Sequence, residues 1–326
     1  MKILNFEINN LYGKYSINGN LDKNVNILVG NNGSFKSTLL MVLAHMLQSE
    51  GLLSDGIRIE SAKLVFDNEI AEHYRLLEGN ADAFMSMAKN DLSITKAAER
   101  IYDFSTKNRN AEKMMFRTEQ FGYESSLGDI TDADDFAKRF NLDIISTFDV
   151  RNEDSQKSYL DSKLEKLQSD YSYYLSDLAK QMTDIIGNNG SISKSQMEAI
   201  NHNKNLMLQY IDKAFSATGK VIVQDSGKLL FDLGTDQTIS ADKLSSGEKQ
   251  LLIILLTIML EKQKPYIVLL DEPEISLHID WQYELLEWVT VLNPNAQFIL
   301  TTHSPSIFAD GWSDKAIYME DIVKEN

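Results

Sequence analysis

Five residues, Tyr266-Ile-Val-Leu-Leu, run directly into two carboxylates, Asp271 and Glu272. A run this short and apolar reads as a strand buried on both faces, and strands of that kind belong to parallel sheets covered by helices. Ending such a strand in an acid pair is costly unless the acids hold a metal or work on a substrate. The stretch therefore points to an α/β architecture with its ligand site at the carboxyl end of a strand.

Three other stretches fit that architecture. Gly30-Asn31-Asn32-Gly33-Ser34-Phe35-Lys36-Ser37-Thr38 lies between the strand pattern Val25, Ile27, Val29 and the amphipathic helix Lys36–Gln48. Strand, glycine loop and helix in that order cradle nucleotide phosphates on backbone N–H groups and on the positive end of the helix dipole. Gly30 lets the chain leave the strand sharply, and Gly33 removes a Cβ from the face turned to the phosphates. Lys36 is expected to neutralise the β- and γ-phosphates of ATP, and the Ser37 hydroxyl to ligate Mg²⁺. Phe35 stands where such loops usually have glycine; forcing it to positive φ costs about 1–2 kcal/mol. Downstream, Leu244-Ser245-Ser246-Gly247-Glu248 opens an apolar helix over 248–262, and in Thr301-Thr302-His303-Ser304 the histidine follows the strand Phe298–Thr302. Ser245 and Glu248 have capping-box spacing, while serine and glycine at a helix start also suit an anion. His303 is expected to emerge beside the acid pair and to position a water. Asp271 is then the second Mg²⁺ ligand and Glu272 the general base.

Composition sets limits on partners. The chain has no cysteine, which excludes disulfides and thiolate metal sites. A net charge of −16 argues against sequence-blind coating of nucleic acid, though a local basic groove stays compatible with it. The N-terminus lacks a signal-peptide layout, and Leu251–Leu260 is too short to cross a bilayer, so no membrane insertion and a cytoplasmic location are expected.

The expected organisation has three parts. An N-terminal lobe over 1–154 starts with an antiparallel β-subdomain, carries the phosphate loop, and includes a polar region at 69–140 that reads as mostly helical. Residues 155–215 form an inserted helical hairpin: Leu164, Leu167, Tyr171, Tyr174, Leu178 and Ile185 keep one seam, Gly187–Gly190 breaks it, and Met197, Ile200, Met207, Ile211 and Phe215 make a second. Each arm spans about 40 Å at most. A packed subdomain and a projecting arm are equally compatible with the pattern. A C-terminal lobe over 216–326 begins with a hairpin at Asp225-Ser-Gly-Lys228 and supplies the remaining strands, the last near Ala316–Met319.

On these residues the chain resembles the P-loop NTPases of the ABC-ATPase type, with Leu244–Glu248 similar to that family's signature element. Asp271-Glu-Pro-Glu274-Ile-Ser-Leu-His278 and Thr301–Pro305 are similar to the RecF/SMC/OLD-like branch, which includes ATPases of anti-phage systems such as Septu and retron-associated ones. The resemblance covers 1–66 and 216–319 well and the middle poorly. It implies a head-to-tail homodimer holding two ATP molecules, with Ser245 and Gly247 reaching the nucleotide of the opposite copy and Ser276–Asp280 coupling the two sites. No glutamine stands at Thr147–Asn152, where the family's Q-loop falls; Gln120 is a weak substitute. Tyr12 and Tyr15 are compatible with stacking on adenine or with a core or surface role.

The function expected from these features is an ATP-driven dimeric switch in DNA maintenance or phage defence. No nuclease constellation follows His303, so an effector (a nuclease or other toxin) is expected to be a separate protein, with nucleic acid as another partner. Two alternatives remain: the ATPase subunit of a membrane transporter, and a nucleotide-sensing assembly module with little turnover because of Phe35.

Overall fold

The structure is a computed structural model and describes residues 1–48, 53, 56–68, 70–90, 95–107, 115–125, 141–146, 158–225, 227–234 and 237–326. The chain opens with β1 (Ile3–Leu11), β2 (Tyr15–Asn20), β3 (Val25–Val29) and α1 (Lys36–Gln48). Next come β4 (Ser61–Phe66), β5 (Ile70–Gly79), α2 (Ala81–Asn90), α3 (Thr95–Lys107), β6 (Phe116–Ser125) and β7 (Asn141–Ser146). Two long helices follow, α4 (Tyr159–Asn189) and α5 (Lys194–Phe215), then β8 (Val221–Asp225), β9 (Lys228–Asp232) and β10 (Thr238–Ser240). The chain closes with α6 (Ser246–Leu260), β11 (Tyr266–Asp271), α7 (Ile279–Leu292), β12 (Gln297–Thr302), β13 (Ala316–Tyr318), α8 (Met319–Ile322) and β14 (Val323–Glu325).

These elements divide into two compact units, Met1–Leu142 with Ile317–Asn326, and Asp143–Ala316. The division differs from the three-part expectation: the hairpin and most of the C-terminal lobe share one unit, and the last ten residues belong with the first. The first unit carries an antiparallel sheet in the order β14-β2-β1-β4-β5-β6. Its core comes from alternation in β1, where Ile3, Phe6, Ile8 and Leu11 are buried, and from the buried face of α1. β5 and β6 correct the mostly helical reading of 69–140. They pair over ten residues, from Ile70 opposite Ser125 to Gly79 opposite Phe116. The fully buried Glu72 shares the strand with buried Tyr74, so a polar side chain sits where the period-two pattern needs an apolar residue. Between these strands α2 and α3 pack through Leu77, Phe84 and Ala98.

In the second unit β11 and β12 run parallel, Leu269 opposite Ile299 and Asp271 opposite Thr301. Every residue of β12 is buried, and so is nearly all of α6. That explains why neither shows amphipathic periodicity. A separate three-stranded sheet, β10-β9-β8, contains the expected hairpin, with Asp225 opposite Lys228. Ser158 caps α4 by accepting from the Asp161 N–H; Gly190, at φ 75°, ends it and passes its own N–H to the Ile186 carbonyl. A capping box of Ser193 and Gln196 starts α5.

The 31 residues of α4 make it about 46 Å long, beyond the 40 Å expected. Leu164, Leu167, Tyr171, Tyr174 and Leu178 of its seam are buried, as are Met207, Ile211 and Phe215 on α5. Met197, expected in the second seam, is 44% exposed, and Ile186 is 45% exposed. The roots of the arms are therefore packed, while Met197 and Ile186 in the far turns are exposed. At the C-terminal end of α6, Glu261 is 2% exposed and takes the Asn293 amide on Oε2. Burial pushes its carboxyl up to about 9; the Asn293 bond opposes the rise, and the neighbouring Asp143 adds to it.

Candidate functional site

The first unit holds the whole Gly30–Thr38 loop. Gly33 has φ 79° and Phe35 φ 71°, so Phe35 adopts the left-handed backbone expected of a glycine. Gly30 is required by close approach: a Cβ there would sit 2.5 Å from Ser34 Oγ and 3.1 Å from the Met319 Cβ. The Ser34 N–H donates to the Asn31 carbonyl at 3.2 Å, closing a turn. Lys36 Nζ donates to the carbonyls of Gly30 (2.9 Å) and Asn31 (3.3 Å), which wraps the loop around the ammonium. The Leu39 N–H donates to the Phe35 carbonyl at 2.8 Å, so the first turn of α1 starts directly from the loop. Ser34 Oγ is buried without a hydrogen-bond partner. A helix start, the unpartnered Ser34 hydroxyl and an enclosed ammonium suit the triphosphate of ATP.

Phe35 also has a use for its ring. It lies 4.8 Å from the Tyr15 ring and 6.0 Å from that of Tyr12, centroid to centroid. Both tyrosines thus face the phosphate loop, and Tyr12 is 44% exposed.

In the second unit the parallel register of β11 and β12 brings Asp271, Glu272 and His303 together. Thr301 Oγ1 donates to Asp271 Oδ1 at 2.6 Å and accepts the Glu272 N–H at 2.9 Å. Glu272 has φ 47°, a kink that turns its side chain out of the strand line. Its Oε1 lies 3.3 Å from His303 Nε2. Two residues of this cluster escaped the sequence reading, Thr301 and Glu274. Glu274 is 8% exposed, and its Oε1 accepts from Thr302 Oγ1, the His303 N–H and the Ser304 N–H. Nothing local to Glu274 signals this role, because its donors lie 28 to 30 residues downstream.

Ser245 and Gly247 stand at the start of α6. The capping-box alternative is realised: Ser245 Oγ takes the Glu248 N–H at 3.4 Å, and Glu248 Oε2 takes the Ser245 N–H at 2.9 Å. Gly247 has its own reason to be glycine, since a Cβ would lie 2.1 Å from the Ser276 carbonyl oxygen. Ser276 in turn has φ 67°. Glu248 also receives Lys220 Nζ at 2.8 Å and Thr218 Oγ1 at 3.0 Å, and Lys249 pairs with Asp161 at 2.7 Å. Burial alone would push the Glu248 carboxyl up, but the Lys220, Ser245 and Thr218 donors outweigh it and hold the group below the usual range.

Of the expected Mg²⁺ ligands, Ser37 belongs to the first unit and Asp271 to the second. Among the described residues no group of three or more His, Asp or Glu could hold a metal by itself. The Q-loop position at 147–152 lies outside the described residues, as does the side chain of Gln120. No helix among the described residues is long and apolar enough to cross a membrane.

The chain is 26% identical over 364 residues to the Retron Vc95 probable ATPase of Vibrio cholerae serotype O1 biovar El Tor, an alignment covering 90% of this chain and 68% of that one. Its fold is similar to that of an SMC head crystallised with the C-winged helix domain of ScpA, with a TM-score of 0.53 at 13% identity, covering 100% of this chain and 98% of the other. An α/β P-loop ATPase head with an antiparallel β-subdomain and an inserted helical hairpin is therefore its architecture. Residues 25–309 match the AAA domain family (putative AbiEii toxin, Type IV TA system), and the chain belongs to that family.

Proposed function

We propose that the protein binds and hydrolyses ATP as a homodimer and uses the cycle to control a separate effector in anti-phage defence. One observation carries the hydrolytic part: Glu272, kinked to φ 47°, holds its carboxylate 3.3 Å from His303 Nε2 at the carboxyl ends of two parallel strands. In this reading the Gly30–Thr38 amides and Lys36 bind the phosphates, and Ser37 and Asp271 hold Mg²⁺, which neutralises charge on the phosphate oxygens. His303 orients a water; Glu272 takes its proton as the oxygen attacks the γ-phosphorus, and ADP leaves. Ser245 and Gly247 complete the pocket of the opposite copy. Support for a second copy comes from Ile275, Ile279 and Tyr283, spaced by four and 36%, 46% and 39% exposed just after the acid pair. The likeness to a retron ATPase supports the defence role; the setting in this reading is cytoplasmic, and a nuclease or other toxin acting on nucleic acid is the effector.

The test is turnover together with assembly. Wild type should release phosphate from ATP; Glu272→Gln should bind ATP, lose turnover by about 100-fold or more, and run as a dimer in light scattering. A monomer at saturating ATP would sink the dimer. A second reading, a nucleotide sensor with little turnover, is favoured by the positive φ of Phe35. Equal, near-zero rates for wild type and Glu272→Gln would select it.

A further inference from the structure

We propose that Glu274 is a positioning residue: through one carboxylate oxygen it sets the turn that presents the His303 imidazole to Glu272. The proposal rests on the reading that Glu272 and His303 serve hydrolysis. Glu274 Oε1 accepts three donors from consecutive residues, Thr302 Oγ1 at 2.5 Å, the His303 N–H at 2.8 Å and the Ser304 N–H at 3.3 Å. The donors include the backbone of the histidine itself. Through its own backbone, Glu274 is joined to Glu272 by a single residue, Pro273, whose φ is fixed by its ring. The Ile275 N–H to Glu272 carbonyl bond (3.1 Å) and the Leu277 N–H to Glu274 carbonyl bond (2.9 Å) stiffen that short path. Glu274 thus joins the two ends of the site, its side chain holding the His303 turn and its backbone leading to Glu272.

The chemistry asks for an acid there. Two backbone N–H groups and a hydroxyl converge on one oxygen, and charge-assisted bonds are about twice as strong as neutral ones. A buried carboxylate that only braced the fold could take its donors from any neighbouring segment. This one takes all three from the three residues that carry His303 out of β12. A further tether holds the same turn from the other side: Ser304 Oγ donates to Gln282 Oε1 at 2.7 Å, and Gln282 Nε2 donates to the Leu277 carbonyl at 3.0 Å. Ser304 is thereby tied to the segment that follows the acid pair, so removing Glu274 should let the imidazole wander without unravelling the turn. Misplacement of a reacting group by about 1 Å can cost about 100-fold in rate.

The experiment has a spectroscopic arm and a kinetic arm. Protein labelled only in histidine gives five imidazole signals, with that of His303 assigned by H303Q. Glu274→Ala should shift or broaden the His303 signal and leave the other four in place, and Glu274→Gln, which keeps an acceptor oxygen, should shift it less. An unchanged His303 signal in Glu274→Ala overturns the proposal. This arm needs no turnover, so it stands even if the chain hydrolyses no ATP and the functional reading fails. In the kinetic arm, Glu274→Ala should lower kcat by about 10- to 100-fold with KM for ATP within about twofold. In an H303A background the same change should cost less than about twofold, because the residue through which it acts is gone. An equal loss in both backgrounds makes Glu274 a brace of the fold and overturns the proposal. Should Glu274→Ala fail to fold, Glu274→Gln carries both arms with the same criteria.

Discussion

In the Gly30–Thr38 loop, the hydrogen bonds that shape the turn join residues three to six positions apart: Ser34 to Asn31, and Lys36 to Asn31 and Gly30. Around Asp271 and Glu272 they join residues 28 to 30 apart, through Thr301, Thr302, His303 and Ser304. The loop is coded by its own nine residues and stores strain in its backbone. The acid pair is coded by the register of two strands and held by side chains. A loop of the first kind tolerates change by local relaxation; a cluster of the second kind fails when any one cross-strand partner goes.

The largest expected effect comes from Gly247→Ala, which tests whether the rigidity around the acid pair extends to the start of α6. The new Cβ meets a backbone oxygen at 2.1 Å, so it should cost about 3 kcal/mol in urea unfolding. A loss below about 0.5 kcal/mol would show that Ser276 yields and that the contrast is overstated. Next is Thr301→Val, which leaves Asp271 Oδ1 and the Glu272 N–H short of a partner; about 2 kcal/mol of stability should go, with turnover falling alongside. Unchanged turnover would mean that the strand register holds the acids without the hydroxyl.

Glu261 supplies a control, a buried acid without a convergent set of donors. Its folded-state pKa is raised to about 9, above the unfolded value of 4.5, so its protonated form is kept on folding. Stability from this group is fully present below the unfolded pKa and is lost as pH rises through the folded one. Wild type should therefore weaken between about pH 5 and pH 9, and Glu261→Gln should flatten that slope in thermal melts taken across the range. Identical slopes would show that Glu261 titrates alike in both states. The smallest effect belongs to the loop. Phe35→Gly relieves about 1–2 kcal/mol of left-handed strain and forfeits about 0.5–1.5 kcal/mol of contact with Tyr15 and Tyr12. Net stability should move by less than about 1 kcal/mol while binding of a non-hydrolysable ATP analogue tightens. Unchanged affinity would mean the phosphates never sense the strain.

The same contrast explains which parts could be read from sequence. The loop, the acid pair and the start of α6 are contiguous strings, and their backbone demands (glycine at 33, an N-cap at 245) show in the residues themselves. The ring partners of Phe35 were not visible as such, because Tyr12 and Tyr15 lie on the far side of two strands. Glu274 looked like an ordinary acid after a proline, since its donors sit 28 to 30 residues downstream. β5 and β6 were hidden by Glu72, a buried polar side chain in a strand. The return of β14 to pair with β2, Val323 opposite Ile17, has no local pattern at all in three residues.

Successive residues at the start of α6 grip opposite roots of the helical hairpin: Lys249 holds Asp161 in the first turn of the outgoing arm, and Glu248 holds Thr218 and Lys220 just past the returning one. Glu248 also caps Ser245, so the serine and the two arm bases form one yoke. Any force that spreads or closes the arms must strain an ion pair or shift that serine, because all these contacts meet in the first turn of α6.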